Sequence, residues 1–561
     1  MDLTTLREQF RSRLVELFPS SNLETCKSPE TRISYGTAGF RGPAERIKRL
    51  FFNVGIISGL RCLNLDADYT GLMVTASHNP VQDNGVKLVD SNGEMLESAW
   101  ENIVEDFCNL KTSEEIIACF DSITRENRID LGERPGLPKR VIIGYDIRPS
   151  SKELVALAKE GLYMLSPYVD YVDYGEVTTP ILHYLVAESN KLGLDYPIPV
   201  EKYYDRLAKG LEEIFQHDIV CKEYKPEQLV VDCANGVGYP ALKRLSQELG
   251  LLENIPMELI NIGDGILNLS CGADYVKTSG RAPINSNKLG KRYASIDGDA
   301  DRIIYFYLTP SKNGCEHDLN LIDGDKIMSL YAVYLKDLLE KTGLKSKLSF
   351  GLVQTAYANG SSTEYLTQTL GETVDIVDTG VKNLHKKASE FDLSVYFEAN
   401  GHGTIWVSEK ARKLIGEYDK PDVSIRNLRQ LLEILINYTG DALSNILIVE
   451  TILRYYDWSH INWFNMYKDR PNSLIKVQVN NKDCIKTTNA GRTCLSPDDL
   501  QPKIDKLVSS CGLGARSFVR PSGTEDVVRI YAEAEEQQVA DDLATRVGEL
   551  VIKVCNKNAP N

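Results

Sequence analysis

The sequence predicts an α/β protein that closes with an α+β module, and two observations carry that expectation. An apolar, β-rich run, a Gly/Asp/Asn loop and a helical apolar period recur in that order along most of the chain. The last stretch drops this alternation for two strand-like runs that flank a helix and lead into a long terminal helix.

In chain order, Met1–Ser20 carries Leu3, Leu6, Phe10, Leu14 and Leu17 on one stripe, the pattern of a packed amphipathic helix. An apolar strand then runs from Gly71 into Ser77, where Asn79-Pro80 stops it. Asn84-Gly85 reads as a hairpin turn into a second strand, Val86–Val89. The first strand–loop–helix unit is Val141–Asp146, with Ser150 and Ser151 as caps of a helix bearing Leu154, Leu157, Ala158 and Leu162. The second is Leu229–Asp232, where Asn235-Gly236 precedes a helix with Leu242, Leu245 and Leu249. The third starts near Leu348, with Asn359-Gly360 ahead of the helical Tyr365–Leu370. Such layers hold their ligands at the carboxyl ends of the strands. In the terminal module, strands Ile475–Val479 and Val527–Tyr531 flank helical Pro502–Leu507. The last helix presents Val539, Leu543, Val547, Leu550 and Val551. Polar or Gly-containing turns put boundaries near 190, 305 and 440, giving domains 1–190, 191–305, 306–440 and 441–561.

Length and composition agree. A chain of 561 residues, 42% hydrophobic and 25% charged, is globular rather than disordered. It is long enough for roughly three to five domains. Lys and Arg number 64 against 79 Asp and Glu, a formal charge of −15, which argues against nucleic-acid or anionic-membrane partners. No run approaches the roughly 18 apolar residues of a membrane span. Met1-Asp2-Leu3 opens no secretory signal, so the expected location is cytoplasmic. The 12 cysteines include no C-x-x-C pair and are expected to be reduced, mostly buried thiols.

Four segments carry chemistry. Ser77, in Thr75-Ala76-Ser77-His78-Asn79-Pro80, ends a strand beside a histidine, and Lys87 returns nearby, a set able to accept and donate a phosphoryl group. Asp297, Asp299 and Asp301 alternate on a Gly-containing loop and can converge on a hard cation. An EF-hand does not fit, because its sixth and twelfth positions are Arg302 and Leu308. Arg520-Pro521-Ser522-Gly523-Thr524-Glu525, with Arg529 on the next strand, suits a phosphate monoester. It is no Walker loop: Gly290-Lys291 is followed by Arg292. Glu398-Ala399-Asn400-Gly401-His402-Gly403 follows the strand Val395–Phe397 with groups for sugar hydroxyls. Taken singly, each has a plain alternative: a turn serine, a solvated acidic turn, a surface loop.

Together and in this order, the four segments resemble the α-D-phosphohexomutase superfamily over nearly the whole chain, and Gly36–Arg41 is similar to its N-terminal active-site segment. Within it, the loop Glu398–Gly403 and the segment Arg454–Trp458 most resemble the eukaryotic phosphoacetylglucosamine mutase branch; glucose- and mannose-specific relatives carry a Gly-Glu-x-Ser type of loop. The resemblance implies three successive phosphoglucomutase-like α/β domains around a cleft and a C-terminal α+β domain. It implies an isomerase that interconverts N-acetylglucosamine 6-phosphate and 1-phosphate through a phosphoserine and a 1,6-bisphosphate, supplying UDP-N-acetylglucosamine synthesis.

The residue roles implied are as follows. Ser77 is the phosphoserine and, with Asp297, Asp299 and Asp301, a ligand of Mg²⁺. Glu398, Ala399 and Asn400 bind the sugar, and Arg520, Pro521, Ser522, Gly523, Thr524 and Arg529 the phosphate that stays in place. Arg41 and Arg302 are candidates to stabilise the transferring group. Lys87 is a candidate base if its pKa is lowered, and His78 competes because its ordinary pKa lies near neutrality. Gly401 and Gly403 are expected to leave room for the N-acetyl group. Two rivals are a metal-dependent phosphatase, which would release free phosphate, and a sugar-phosphate binding module, which would not turn over.

Overall fold

A computed structural model describes residues 8, 11–12, 16, 32–36, 39–131, 138–216, 227–248, 255–311, 317–419, 422–522 and 527–557. The helix expected over Met1–Ser20 lies almost wholly outside these. The chain divides into two compact units. One comprises Met1–Gln216, Lys225–Asn320 and Glu433–Leu447; the other His217–Tyr224, Leu321–Leu432 and Ile448–Asn561.

In the first unit, β1 (Phe40–Pro43), β2 (Tyr69–Val74), β3 (Asp83–Val89), β4 (Lys139–Tyr145) and β5 (Val169–Glu176) form a sheet in the order β1-β3-β2-β4-β5. Strand β4 runs parallel to β2 and β5, while β3 is antiparallel to β1 and β2. Every residue of β2 is buried, as a strand covered on both faces must be. Helices α1 (Leu50–Asn64) and α2 (Ser151–Tyr163) pack on each other and on the sheet, and all but one residue of α1 is buried. Helix α3 (Thr179–Leu192) is capped by Thr178, whose side chain accepts from Ile181 N, and ends at the left-handed Gly193.

The second sheet contains β6 (Leu229–Asp232), β7 (Met257–Ile260), β8 (Arg292–Ile296), β9 (Ile303–Pro310) and β10 (His317–Ile322), in the order β10-β9-β8-β6-β7. Its central strand β6 is parallel to β7 and β8, and β9 turns back antiparallel to β8. The turn between β8 and β9 carries the three aspartates.

In the second unit, α4 (Gly324–Thr342) packs on a sheet of β11 (Phe350–Thr355), β12 (Val374–Val377), β13 (Leu393–Phe397) and β14 (Gly403–Val407) in the order β12-β11-β13-β14. The terminal module has β15 (Asn472–Gln478), a ribbon of β16 (Lys486–Thr488) and β17 (Thr493–Ser496), then β18 (Arg516–Pro521) and β19 (Val527–Glu533). Its three-stranded sheet, β15-β19-β18, is antiparallel and covered by α5 (Leu500–Ser509) and α6 (Gln537–Lys557) around a core that includes Leu500, Ile504, Leu543 and Val547. The α/β layers and the α+β ending therefore form where the hydrophobic pattern puts them. Among the described residues, no helix is long and apolar enough to cross a membrane.

Two local expectations fail. Asn84-Gly85 is no turn: both residues lie inside β3, paired with Gly42 and Arg41 of β1. Gly85 is needed there because a Cβ would stand 2.2 Å from Phe40 O and 2.7 Å from Thr75 O. Ser150 precedes α2 without capping it; instead Ser150 and Ser151 both accept from Asn84 Nδ2, tying the helix start to β3.

Candidate active site

Strand β2 delivers the chain into Thr75–Pro80, and Ser77 sits there fully buried at φ 49°, a left-handed conformation uncommon for a residue with a side chain. Surrounding bonds hold it. Thr75 Oγ1 accepts from Ser77 N at 2.9 Å and donates to Asp146 Oδ2 at 2.7 Å. Arg148, paired through Nε with Asp146 Oδ2 at 2.9 Å, donates to Ser77 O and Asn79 O at 2.9 and 3.0 Å. Its other nitrogen reaches Pro80 O and Asp83 O at 2.5 and 2.8 Å, so one guanidinium gathers four loop carbonyls. Asn268 Nδ2 adds bonds to Ser77 O at 2.8 Å and Asn79 O at 3.0 Å. Arg148 and Asn268 were not among the residues read from sequence. The only signal for Arg148 is its place two residues beyond the strand-end Asp146, and Asn268 has none.

The aspartate loop meets this serine. Asp297, Asp299 and Asp301 are all buried, with one ligand oxygen of each inside a 4.8 Å span. The oxygens divide their work. Asp297 Oδ1 accepts from Asp301 N and Arg302 N at 3.1 and 3.2 Å, and its Oδ2 is buried without a hydrogen bond. Asp299 Oδ2 accepts from Ser77 Oγ at 2.9 Å, Lys87 Nζ at 2.8 Å and Thr179 Oγ1 at 2.7 Å, and its Oδ1 is likewise open. Asp301 Oδ2 accepts from Lys87 Nζ at 2.7 Å. Burial, with Asp301 and Asp299 close by, pushes the Asp297 carboxyl well above its ordinary value. The open oxygens of these buried carboxylates form an all-oxygen set that suits a hard cation such as Mg²⁺. Gly298 lets the two loops touch, since a Cβ there would stand 2.6 Å from Ser77 O.

The charged groups expected around the serine are beside it. Arg41, half-buried on β1, donates through Nη2 to Ser77 Oγ at 3.1 Å. Arg302 Nε lies 3.8 Å from Asp297 and 3.7 Å from Asp301. Burial and the neighbouring Arg302 lower the pKa of Arg41, the environment of a cation cluster that gains from a bound anion. Burial works against the Lys87 ammonium, but Asp299 and Asp301 outweigh it and hold the pKa above the ordinary value. His78 behaves oppositely: burial, Arg302 and Arg41 push it down to about 2, so its imidazole is neutral. Burial first, and the charges of Arg302 and Arg41 after it, take its pKa away from the near-neutral value of a solvated imidazole. His78 Nδ1 is buried without a hydrogen bond.

The second unit presents two further groups at strand ends. After β13, Glu398 Oε1 accepts from Gly380 N at 2.8 Å and Oε2 from Asn400 Nδ2 at 3.2 Å, while Asn400 Oδ1 accepts from His402 N at 3.0 Å. Ala399 O accepts from Gly324 N at the start of α4. The hairpin itself demands both glycines: Gly401 has φ 87°, and a Cβ on Gly403 would stand 2.2 Å from Tyr396 O. They carry no argument for space around an N-acetyl group.

On the terminal sheet, Arg520 and Arg529 face each other across β18 and β19. Like charges directly opposite repel, and a bound anion relieves them. Arg529 Nε is buried without a hydrogen bond, and Ser522 N donates to Val527 O at 2.9 Å just beyond Pro521. Gly523 and Thr524 lie outside the described residues. Tyr357, missed in the sequence, stands near enough to both arginines that they lower its pKa against the rise from burial, and it packs edge-on to Phe518.

A buried strand-end serine beside three buried aspartates, in a chain of α/β layers that closes with an α+β module, is the arrangement of a phosphohexomutase. Comparison with known proteins agrees and is more specific. Profiles for phosphoacetylglucosamine mutase AMG1 domains II and III match residues 196–304 and 323–458. Those for phosphoglucomutase/phosphomannomutase alpha/beta/alpha domain I and C-terminal domain match 60–115 and 474–550. Phosphoacetylglucosamine mutase 1 of Schizosaccharomyces pombe is 43% identical over 93% of this chain and 99% of its own. The crystal structure of Aspergillus fumigatus N-acetylphosphoglucosamine mutase in complex with GlcNAc-6P and magnesium superposes with a TM-score of 0.88 at 39% identity, covering 98% of this chain and 99% of that one. A serine-to-alanine form of the same fungal enzyme, in complex with glucose 1,6-bisphosphate, gives a TM-score of 0.87 at 39% identity over 98% and 99%. The chain belongs to the phosphoacetylglucosamine mutase family, isomerases of the α-D-phosphohexomutase superfamily.

Proposed function

We propose that this chain interconverts N-acetylglucosamine 6-phosphate and N-acetylglucosamine 1-phosphate through a phosphoserine at Ser77 and a bound 1,6-bisphosphate. The observation that carries this reading is Ser77 Oγ, shared between Asp299 Oδ2 at 2.9 Å and Arg41 Nη2 at 3.1 Å beside two further buried carboxylates. In the forward direction the free sugar hydroxyl attacks the phosphorus on Ser77 Oγ, the P–Oγ bond breaks, and the bisphosphate forms. The bisphosphate turns over, Ser77 Oγ attacks its other phosphate, and the product leaves with the phosphoserine restored. Two orientations of one ligand require an anchor that takes either phosphate, the role we give Arg520, Pro521, Ser522, Gly523, Thr524 and Arg529.

Asp297, Asp299, Asp301 and an oxygen on Ser77 are our assigned Mg²⁺ ligands, supported by the open oxygens of Asp297 and Asp299. Bound there, Mg²⁺ neutralises charge on the moving phosphoryl group. Arg41 and Arg302 extend that neutralisation to the phosphoryl oxygens. The sugar proton passes to Lys87 or His78: Lys87 must first shed the charge that Asp299 and Asp301 maintain, whereas His78 is neutral as it stands. Glu398, Ala399 and Asn400 take the sugar hydroxyls. The division at 190, 305 and 440 into four domains, a cytoplasmic location supplying UDP-N-acetylglucosamine synthesis, and the lack of nucleic-acid or membrane partners belong to the same reading, supported by the net charge of −15.

Phosphorus NMR of the magnesium-loaded protein with N-acetylglucosamine 6-phosphate and a trace of its bisphosphate tests it. The 1-phosphate is the expected product; inorganic phosphate would make the chain a phosphatase, and an unchanged spectrum a binding module.

A further inference from the structure

Two thiols of the terminal module lie closer than unbonded sulfurs normally approach. Cys484 Sγ and Cys555 Sγ are 2.9 Å apart, well inside van der Waals contact and not far from the about 2.05 Å of a disulfide bond. The two residues are 71 positions apart in the chain. Cys484 ends the short turn Lys482–Cys484 and is half-buried; Cys555 is buried in the last turns of α6. Both belong to the apolar cluster that joins α6 to the sheet. The turn holding Cys484 leads directly into the β16–β17 ribbon, and the tip of that ribbon reaches Arg520: a Cβ built on Gly491 would stand 3.9 Å from Arg520 Cδ.

We propose that Cys484 and Cys555 are a site of reversible oxidation to a disulfide, which ties the base of the β16–β17 ribbon to the terminal helix and restrains the ribbon beside Arg520. The co-reactant is a peroxide such as hydrogen peroxide. Cys484, the more accessible sulfur, attacks a peroxide oxygen; the O–O bond breaks, giving a sulfenic acid and water. Cys555 Sγ then attacks the sulfenic sulfur, the S–O bond breaks, and the hydroxyl leaves as water with the proton from Cys555. Two thiols and one hydrogen peroxide become one disulfide and two waters, two electrons passing from sulfur to oxygen. Burial pushes the Cys555 thiol up to about 12, which makes it the slower nucleophile and leaves the peroxide to Cys484. Reduction by a dithiol reverses the change.

The full-length protein, reduced and then treated with equimolar hydrogen peroxide, provides the test. Peptide mapping should show a single cross-link joining Cys484 to Cys555, accompanied by a mass loss of two hydrogens and reversed by dithiothreitol. Hydrogen exchange of amides 486–496 should slow several-fold in the oxidised form, and both effects should vanish in Cys555→Ser while persisting in Cys119→Ser. If Cys555→Ser does not fold, Cys484→Ser, at a half-buried position, is the substitute. A link to any other cysteine, sulfinic acid at Cys484 without a cross-link, or a cross-link that leaves exchange at 486–496 unchanged would overturn the proposal.

Discussion

The serine loop of the first unit and the arginine pair of the second are built in opposite ways. Along the Ser77 loop the backbone carbonyls are heavily partnered: Arg148 alone takes four, and Asn268 doubles two of those bonds. Around Arg520 and Arg529, two cations face each other and Arg529 Nε has no hydrogen-bond partner among the described residues. A left-handed backbone at a serine persists only where its surroundings over-determine it, and bond-making needs that fixity. An anchor that accepts either end of a reorienting ligand, the role proposed for the arginine pair, gains from the reverse, positive charge that no carboxylate neutralises beforehand. Substitutions in the first region should therefore strike turnover, and substitutions in the second should strike affinity.

The largest effect is expected at Ser77 itself. Ser77→Ala removes the oxygen proposed to carry the phosphoryl group, so turnover should fall by about a thousandfold or more with the fold intact. Steady-state rates and the loss of exchangeable protein-bound phosphate check it. Exchangeable phosphate that survived on another residue would transfer the role elsewhere. Asp299→Asn should come next. It replaces a carboxylate that meets Ser77, Lys87 and Thr179 at once, so magnesium affinity, measured by titration calorimetry, should fall more than substrate affinity. Activity unchanged after exhaustive chelation would contradict the assigned metal site.

A finer cut separates the loop's chemistry from its scaffold. Asn268→Ala deletes two bonds to the Ser77 loop without touching the reacting atoms. A displacement of the loop by about 1 Å can cost up to about 100-fold in rate. We expect kcat to fall about tenfold or more with KM nearly unchanged, and the reverse split would move Asn268 to the substrate. Arg148→Ala is the harsher variant. It leaves Asp146 buried without its cation, which typically destabilises by about 3–5 kcal/mol, visible as a lowered midpoint in denaturant.

The same contrast explains what could be read from sequence. The aspartate loop and the serine were legible because their chemistry is local: alternating carboxylates, or a hydroxyl at a strand end. Arg148 and Asn268 were not, because they act through carbonyls remote in sequence, and carbonyls leave no mark on residue identity. Asn84-Gly85 misled for a related reason. The pair reads as a turn on propensity, yet β1 pairs with it and the close approach of Phe40 O and Thr75 O explains the glycine. Gly401 and Gly403 read as room for the N-acetyl group, yet left-handed backbone and hairpin packing already require both. Local propensity placed the layers; tertiary contacts decided which residues brace the site.

In the second region, Arg520→Ala should raise KM by about tenfold or more, since a charge-assisted contact contributes about 1.5–3 kcal/mol. Part of that loss should be recovered in Arg520→Lys, which keeps the charge and loses the fork. An effect confined to kcat would place Arg520 at the transfer site and break the contrast between the two regions.

The smallest effect should be at Glu398. Both its oxygens already accept hydrogen bonds, one from Gly380 N ahead of the helix Val381–Ala388 and one from Asn400 Nδ2 in the loop, so a ligand hydroxyl meets only their remaining lone pairs. Glu398→Gln keeps the shape and one acceptor, but turns a charge-assisted contact into a neutral one and sets an amide N–H₂ against Asn400 Nδ2 unless one of the two flips. The difference between charged and neutral bonds is about 1 kcal/mol, or roughly fivefold in kcat/KM. Glucose and N-acetylglucosamine phosphates share the ring hydroxyls, so both should lose the same factor and their ratio should stay fixed. A Glu398→Gln protein whose ratio collapsed toward unity would make this carboxylate the reader of the acetamido group, and the sugar loop would then be as tightly specified as the loop around Ser77.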